Sequence, residues 1–178
     1  RQMCIRDRSM DDSNWGVPDY KETYSAEELQ NWVMANFGPK IKIKKLSEDA
    51  IVPTRANESD AGWDLYVPHD FLLPHQSRAL VPTHIAMAIP KGYVGLIWDR
   101  SGVAVKKGVH RFAGVIDSGY RGEVKVCLWN SSEWDVHFRK GERIAQILFQ
   151  IIPSCQLIEV EELDTTDRGE GGFGSSGK

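Results

Sequence analysis

The chain has 178 residues, 41% of them apolar and 26% charged, with a formal net charge of −3. This suits one compact domain with a short appendage, and it excludes a general nucleic-acid binder, whose surface must be basic to neutralise phosphates. A small anionic ligand held by a few placed arginines is not excluded. The longest apolar stretch, Ile144 to Ile152, is broken by Gln146 and Gln150, so no segment reads as membrane-spanning.

The first forty residues contain no apolar run of the signal-peptide kind. Cys4, Cys127 and Cys155 show no pairing pattern, which points to a reducing compartment. The expected location is the cytoplasm, or the nucleus or host-cell interior if the source is not bacterial. Five histidines carry no metal-ligand spacing such as HxxxH, so no protein-held zinc site is expected.

Residues 1–9 read as a leader foreign to the fold: Arg1 to Arg8 mixes charge and cysteine without period, and Met10 is the expected start. Residues 10–40 read as an N-terminal extension. Within it, Ser25 and Glu28 form a capping box. Leu29, Trp32, Val33 and Phe37 follow at helical spacing and Gly38-Pro39 closes the segment, which predicts a helix over 25–37. Its alternatives are packing on its own body or docking a partner; so short a helix is marginal alone in water.

From Ile41 the apolar period becomes two. Strand-like runs follow at Ile41–Ile43, Trp63–Val67, Arg78–Val81, Ile85–Ile89, Tyr93–Trp98, Glu123–Trp129, Trp134–Phe138, Arg143–Ile151 and Gln156–Val160. Turn signals such as Pro90-Lys91-Gly92 and Arg139-Lys140-Gly141 separate them. Val124, Val126 and Leu128 fall on one face. Many short strands without helical crossovers predict an all-β body over 41–163, a jelly roll in preference to a doubly wound fold. Residues 164–178 are rich in glycine and read as a flexible terminal segment. Arg168 and Phe173 are unneeded in a linker but useful in a flap over a ligand, where glycine amides approach phosphate, arginine adds charge and phenylalanine stacks on a base.

Five short segments stand in a fixed order: Ala61-Gly62-Trp63-Asp64-Leu65, Arg100-Ser101-Gly102, Gly114 to Gly122 (GVIDSGYRG), Gly141-Glu142-Arg143-Ile144-Ala145-Gln146, and the tail from Arg168 through Phe173, Gly174, Ser175 and Ser176. In order and spacing this set resembles the homotrimeric dUTPases. The likeness runs from about Ile41 to Lys178.

The resemblance implies a jelly roll, three subunits with shared active sites, and hydrolysis of dUTP to dUMP and pyrophosphate with Mg²⁺. It would keep uracil out of DNA and supply dUMP for thymidylate synthesis. Asp117 would be the general base, deprotonating the water that attacks the α-phosphorus. The Tyr120 ring would lie under the deoxyribose and exclude a 2′-hydroxyl. Gly114 to Lys125 would form a β-hairpin whose main chain reads uracil, with the side chains of Val115, Ile116 and Lys125 secondary. Fixed N–H and C=O groups reject cytosine, whose donor and acceptor are reversed.

Arg100, Ser101 and Gly102 would hold phosphates, as would Gln146, which is unusual as a polar residue in an apolar run. Arg143 would brace the acidic residues. Asp64 would support the site and the metal's water shell. Mg²⁺ would come on the substrate phosphates with no complete protein site. Arg168, Phe173, Gly174, Ser175 and Ser176 would close over the nucleotide.

Four positions depart from the family pattern: Asp99, Gly119, Trp63 and Ser176. Asp99 could weaken phosphate binding or pin Arg100. dCTP deaminase, the nearest relative, needs a glutamate where Cys127 stands, and Glu123 lies four residues too early. A regulatory binding protein could lose Asp117 or the tail, and both are present here.

Overall fold

The structure, a computed structural model, describes residues 25–29 and 38–172. The chain divides into two units, Arg1–Lys40 and Ile41–Lys178. In the first, residues 26–29 are helical and the capping box is closed reciprocally. Glu28 N–H donates to Ser25 Oγ (3.1 Å) and Ser25 N–H to Glu28 Oε2 (2.7 Å). Residues 30–37 of the expected helix, and the leader 1–9, lie outside the described residues.

The second unit is all-β and jelly-roll-like. Its strands are β1 (Lys42–Lys45), β2 (Trp63–Tyr66), β3 (Phe71–Leu73), β4 (Arg78–Ala88), β5 (Tyr93–Trp98), β6 (Val109–Phe112), β7 (Val115–Ile116), β8 (Glu123–Asn130), β9 (Val136–Phe138) and β10 (Arg143–Ile151). One sheet has the order β1-β4-β8-β6, a second β2-β10-β5-β7, and β3 and β9 pair separately. All the strand pairs are antiparallel.

A single apolar core draws on all three sheets. Val81, Ile85, Val124, Val126 and Leu128 come from the first, Leu65, Ile97, Ile144 and Ile147 from the second, and Leu73, Val136 and Phe138 from the third. The period of two thus turns one face of each strand inward. On β8, Val124, Val126 and Leu128 are almost fully buried.

Three expectations are corrected. Arg78–Val81 and Ile85–Ile89 are not two strands but the single β4, which stays paired to β8 across an irregularity between Pro82 and Ala86. There His84 adopts φ +55°, a left-handed conformation that costs a non-glycine residue about 1–3 kcal/mol and persists only where its surroundings enforce it. Gln156–Val160 forms no strand: its alternation finds no partner among the described residues and the segment is exposed throughout. Gly114 to Lys125 is not a hairpin. A turn does close from Tyr120 N–H to Asp117 O (3.0 Å), but β7 pairs with β5 in one sheet while β8 pairs with β4 and β6 in the other. The segment therefore crosses between sheets.

A helix, α1 (Ser101–Lys107), stands where the sequence pattern gave no element. It buries only Val103, and it ends at Gly108, whose N–H bonds Ala104 O. Both of its ends are tied to other elements. Arg100, its N-cap, reaches Asp64 on β2. Lys107 bonds Glu142 (2.8 Å) and lies 4.4 Å from the Phe138 ring centre.

Candidate active site

The register of the second sheet builds the first part of the site. Gln146 on β10 pairs with Asp64 on β2 and with Trp98 on β5. Directly opposed residues project from the same face, so Asp64, Gln146 and Trp98 form one cross-strand row. Asp64 is buried, and each of its oxygens takes a guanidinium. Arg100 Nε donates to Oδ1 at 2.6 Å and Arg143 Nη1 to Oδ2 at 3.2 Å.

Gln146 Nε2 donates to Asp99 O at 2.8 Å. Its side chain lies across Gly62, where a Cβ would overlap Oε1; that close approach explains glycine in the first motif. Together these residues, with Asp60, Ser101 and Leu148, line a cleft of about 460 Å³.

Of the two effects considered for Asp99, the pinning of Arg100 is not seen, since Arg100 Nε donates to Asp64. The Asp99 carboxylate accepts from Arg111 N–H at 2.7 Å and meets His110 Nδ1 at 3.2 Å. The Arg111 guanidinium in turn covers the Trp98 ring at 5.0 Å.

A second pocket, of about 420 Å³, is lined by Leu80, Val115, Ile116, Asp117, Tyr120, Glu123 and Lys125. Asp117 is exposed at the start of the turn. The Tyr120 hydroxyl donates to Glu123 O (3.0 Å), and Lys125 Nζ lies 3.5 Å from Glu123 Oε2. Cys127 lines neither pocket, and nor do Gly102 and Gly114.

The predicted site residues thus gather in two groups that share no lining residue. Arg100, Ser101, Gln146 and Asp64 form one; Asp117, Tyr120, Val115, Ile116 and Lys125 form the other. Arg168 belongs to neither: it is exposed, and its Nε closes a local turn on Gly171 O at 2.8 Å. Phe173, Gly174, Ser175 and Ser176 lie outside the described residues. Sequence reasoning gave no positive role to Asp99 or Glu123. The only signal for Asp99 was its odd place beside an arginine, and for Glu123 its position opening a strand.

The first group offers guanidinium, hydroxyl and amide donors to an anion. The second pairs a free carboxylate with an aromatic ring and apolar walls. A jelly-roll-like body with these two pockets defines a protein equipped for a phosphorylated ligand that also carries a flat ring. Comparison with known proteins makes this specific, because the profile of the dUTPase family matches residues 48–177, most of the chain, which belongs to that family.

The chain is 44% identical over 144 residues to the deoxyuridine 5′-triphosphate nucleotidohydrolase of Oryza sativa subsp. japonica, covering 81% of this chain and 84% of that protein. Its fold matches the dUTPase of Staphylococcus bacteriophage 80alpha with dUpNHpp. The TM-score is 0.74 and the identity 34%, over 78% of this chain and 99% of that one. A dUTPase from phage phi11 of S. aureus, in which a structural Mg(II) ion is coordinated, matches with TM-score 0.67 and 28% identity, over 71% and 99% of the chains.

Among the described residues, no three His, Cys, Asp or Glu side chains cluster to hold a metal ion, and both oxygens of Asp64 are engaged by arginines. Within one chain, the donor set of the described residues does not fit a resident metal. No helix among the described residues is long and apolar enough to cross a membrane.

Proposed function

We propose that this protein hydrolyses dUTP to dUMP and pyrophosphate, taking the Mg²⁺ complex of dUTP as its substrate and working as a homotrimer. The observation that carries this reading is that motif residues line two pockets, one with guanidinium, hydroxyl and amide donors and one with a carboxylate and an aromatic ring, in a member of the dUTPase family.

Arg100, Ser101, Gly102 and Gln146 bind the phosphates, while Asp64 holds Arg100 and Arg143 in place. Asp117 takes a proton from a water whose oxygen bonds the α-phosphorus. The bond from that phosphorus to the bridging oxygen breaks, and pyrophosphate leaves. The Tyr120 ring packs against C2′ and rejects ribonucleotides. The main chain around Val115, Ile116 and Lys125 reads uracil. Arg168, Phe173, Gly174, Ser175 and Ser176 close over the bound nucleotide.

The charge of the first pocket supports the need for Mg²⁺. Its lining carries three carboxylates (Asp60, Asp64 and Asp99) and two guanidiniums (Arg100 and Arg143), so a bare triphosphate would meet no surplus of positive charge. Entering as its Mg²⁺ complex, the substrate brings the missing charge with it.

The trimer is supported in the same way. Two half-equipped pockets in one chain are what a site shared between subunits requires. The exposed apolar arm that follows β10, with Leu157, Ile158 and Leu163, suits a segment covered by another copy. The product dUMP is a precursor for thymidylate, and removal of dUTP keeps uracil out of DNA.

Pyrophosphate release with Mg²⁺ from dUTP, dCTP, dTTP and UTP in parallel tests the reading. Release from dUTP alone, lost in Asp117→Asn while dUTP still binds, is the expected result. Equal release from dCTP, or full activity in Asp117→Asn, would overturn it.

A further inference from the structure

We propose that Glu123 is a positioning residue for Tyr120, acting through its grip on the main chain of His84. The proposal rests on the reading that Tyr120 meets the sugar of dUTP.

The pairing of β4 with β8 shows where the grip is needed. Pro82 pairs with Lys125 and the next pair is Ala86 with Glu123. Four steps along β4 therefore match two along β8, leaving two extra residues on β4. Such a bulge turns main-chain groups out of the ladder, and His84, at φ +55°, is one of them. Its N–H has no ladder partner, and Glu123 Oε1 accepts it at 2.9 Å.

The other side of the bulge is also tied down. His84 Nδ1 meets Ser47 Oγ at 2.9 Å, and His84 O accepts Leu46 N–H at 2.8 Å. The buried Thr83 hydroxyl donates to Val124 O, the next residue on β8. Glu123 is the link from this built bulge to the second pocket.

Its carboxylate faces His84 and its own carbonyl accepts the Tyr120 hydroxyl at 3.0 Å. Only one fifth of its side chain is exposed. The Tyr120 phenol lies over Gly122, where any Cβ would overlap it, so the half-exposed ring is seated between Gly122 and the Glu123 carbonyl. The second carboxylate oxygen, 3.5 Å from Lys125 Nζ, leans on the far wall of the same pocket. Releasing the carboxylate frees the first residue of β8, and with it the carbonyl that orients Tyr120.

The experiment compares wild type, Glu123→Gln, Glu123→Ala and the double variant Glu123→Ala/His84→Gly, with KM and kcat measured for dUTP and UTP. Loss of a hydrogen bond that seats a contact residue corresponds to a roughly tenfold effect. Glu123→Ala should therefore raise KM for dUTP about tenfold and reduce the preference for dUTP over UTP by a similar factor. The kcat for dUTP should move far less. Glu123→Gln keeps the acceptor for His84 N–H and should recover most of the preference. His84→Gly removes the strain at φ +55°, so the double variant should also recover part of it.

A purely structural role would lower kcat through loss of folded enzyme and leave KM and the preference alone; that result overturns the proposal. So does a folded Glu123→Gln that behaves like Glu123→Ala. Should Glu123→Ala not fold, recovered preference in the other two variants supports the proposal, and loss in both overturns it. A wild type without dUTP hydrolysis would instead sink the functional reading, which keeps the two failures apart.

Discussion

Arg100 Nε and Asp64 Oδ1 meet at 2.6 Å, joining the residue that opens α1 to a strand thirty-six positions earlier in the chain. Arg143 closes on the other oxygen, so a single buried carboxylate sets two guanidiniums of the first pocket. Asp64→Ala leaves both arginines without their acceptor in a site meant to hold them apart. It should lose about 1–3 kcal/mol of stability and raise KM for dUTP by more than about tenfold. Asp64→Asn, which keeps one acceptor, should fall between. Urea denaturation with steady-state kinetics checks both. In a double-mutant cycle, Asp64→Ala and Arg100→Ala should be clearly non-additive.

Lys107 and Glu142 tie the other end of α1 to the fourth motif. Burial pushes the Glu142 carboxyl up, but the hydrogen bond from Lys107, a hydrogen bond from the Arg139 main chain to the carboxylate and the charges of Lys107 and Arg139 outweigh it, leaving the pKa lowered. A carboxylate with a depressed folded-state pKa stabilises the fold above its unfolded value, near ~4.3, and loses that contribution as pH falls through the lower folded value. Lys107→Met should therefore be less stable than wild type at pH 6, by under about 1 kcal/mol because the pair is over a third exposed. The difference should shrink towards pH 3. Equal differences at both pH values would show that the Lys107 ammonium over the Phe138 ring, and not its pairing with Glu142, carries the contact.

Sequence pattern reveals the parts of this fold that local chemistry decides. The alternation of Val124, Val126 and Leu128 placed them on one face, and they are buried; Ser25 and Glu28 close their own cap. What the pattern misses is decided by distant partners. The stretch SGVAVKK has no amphipathic period and buries one side chain; Gly108 and the two lysines mark its end, but the anchors at Arg100 and Lys107 are set by distant partners. Gln156–Val160 alternates like a strand yet has no described neighbour to pair with. Residues of the first four motifs line the two pockets, but their partition follows from strands running to different sheets, which no spacing along the chain records. The bond between Glu123 and His84 spans 39 residues and has no local signature.

Asp99 sits between the two sets of anchors. Its carbonyl holds Gln146, and its carboxylate holds the β6 main chain at Arg111. Asp99→Ala should let the segment before Arg100 drift from β6 and raise KM for dUTP roughly threefold to tenfold. Asp99→Asn, which can still accept from Arg111 N–H, should stay close to wild type. A lower KM in Asp99→Ala would mean that the negative charge beside the phosphates outweighs its anchoring role.

The separation of Arg100 from Asp117 into pockets with no common residue allows the shared-site proposal to be tested without any structure of the assembly. Arg100→Ala and Asp117→Asn should each be inactive alone. If each site takes Arg100 from one subunit and Asp117 from another, unfolding and refolding the two variants together should create some sites with both native residues. For random mixing in a symmetric ring, about a quarter of the sites should be restored. Adding Leu157→Asp and Leu163→Asp to both variants puts charge on the exposed arm that a neighbouring copy would cover. It should abolish the rescue and lower the mass seen by light scattering. If mixing restores nothing while the wild type refolds to full activity, both residues act within one chain, and the trimer is not needed for the chemistry.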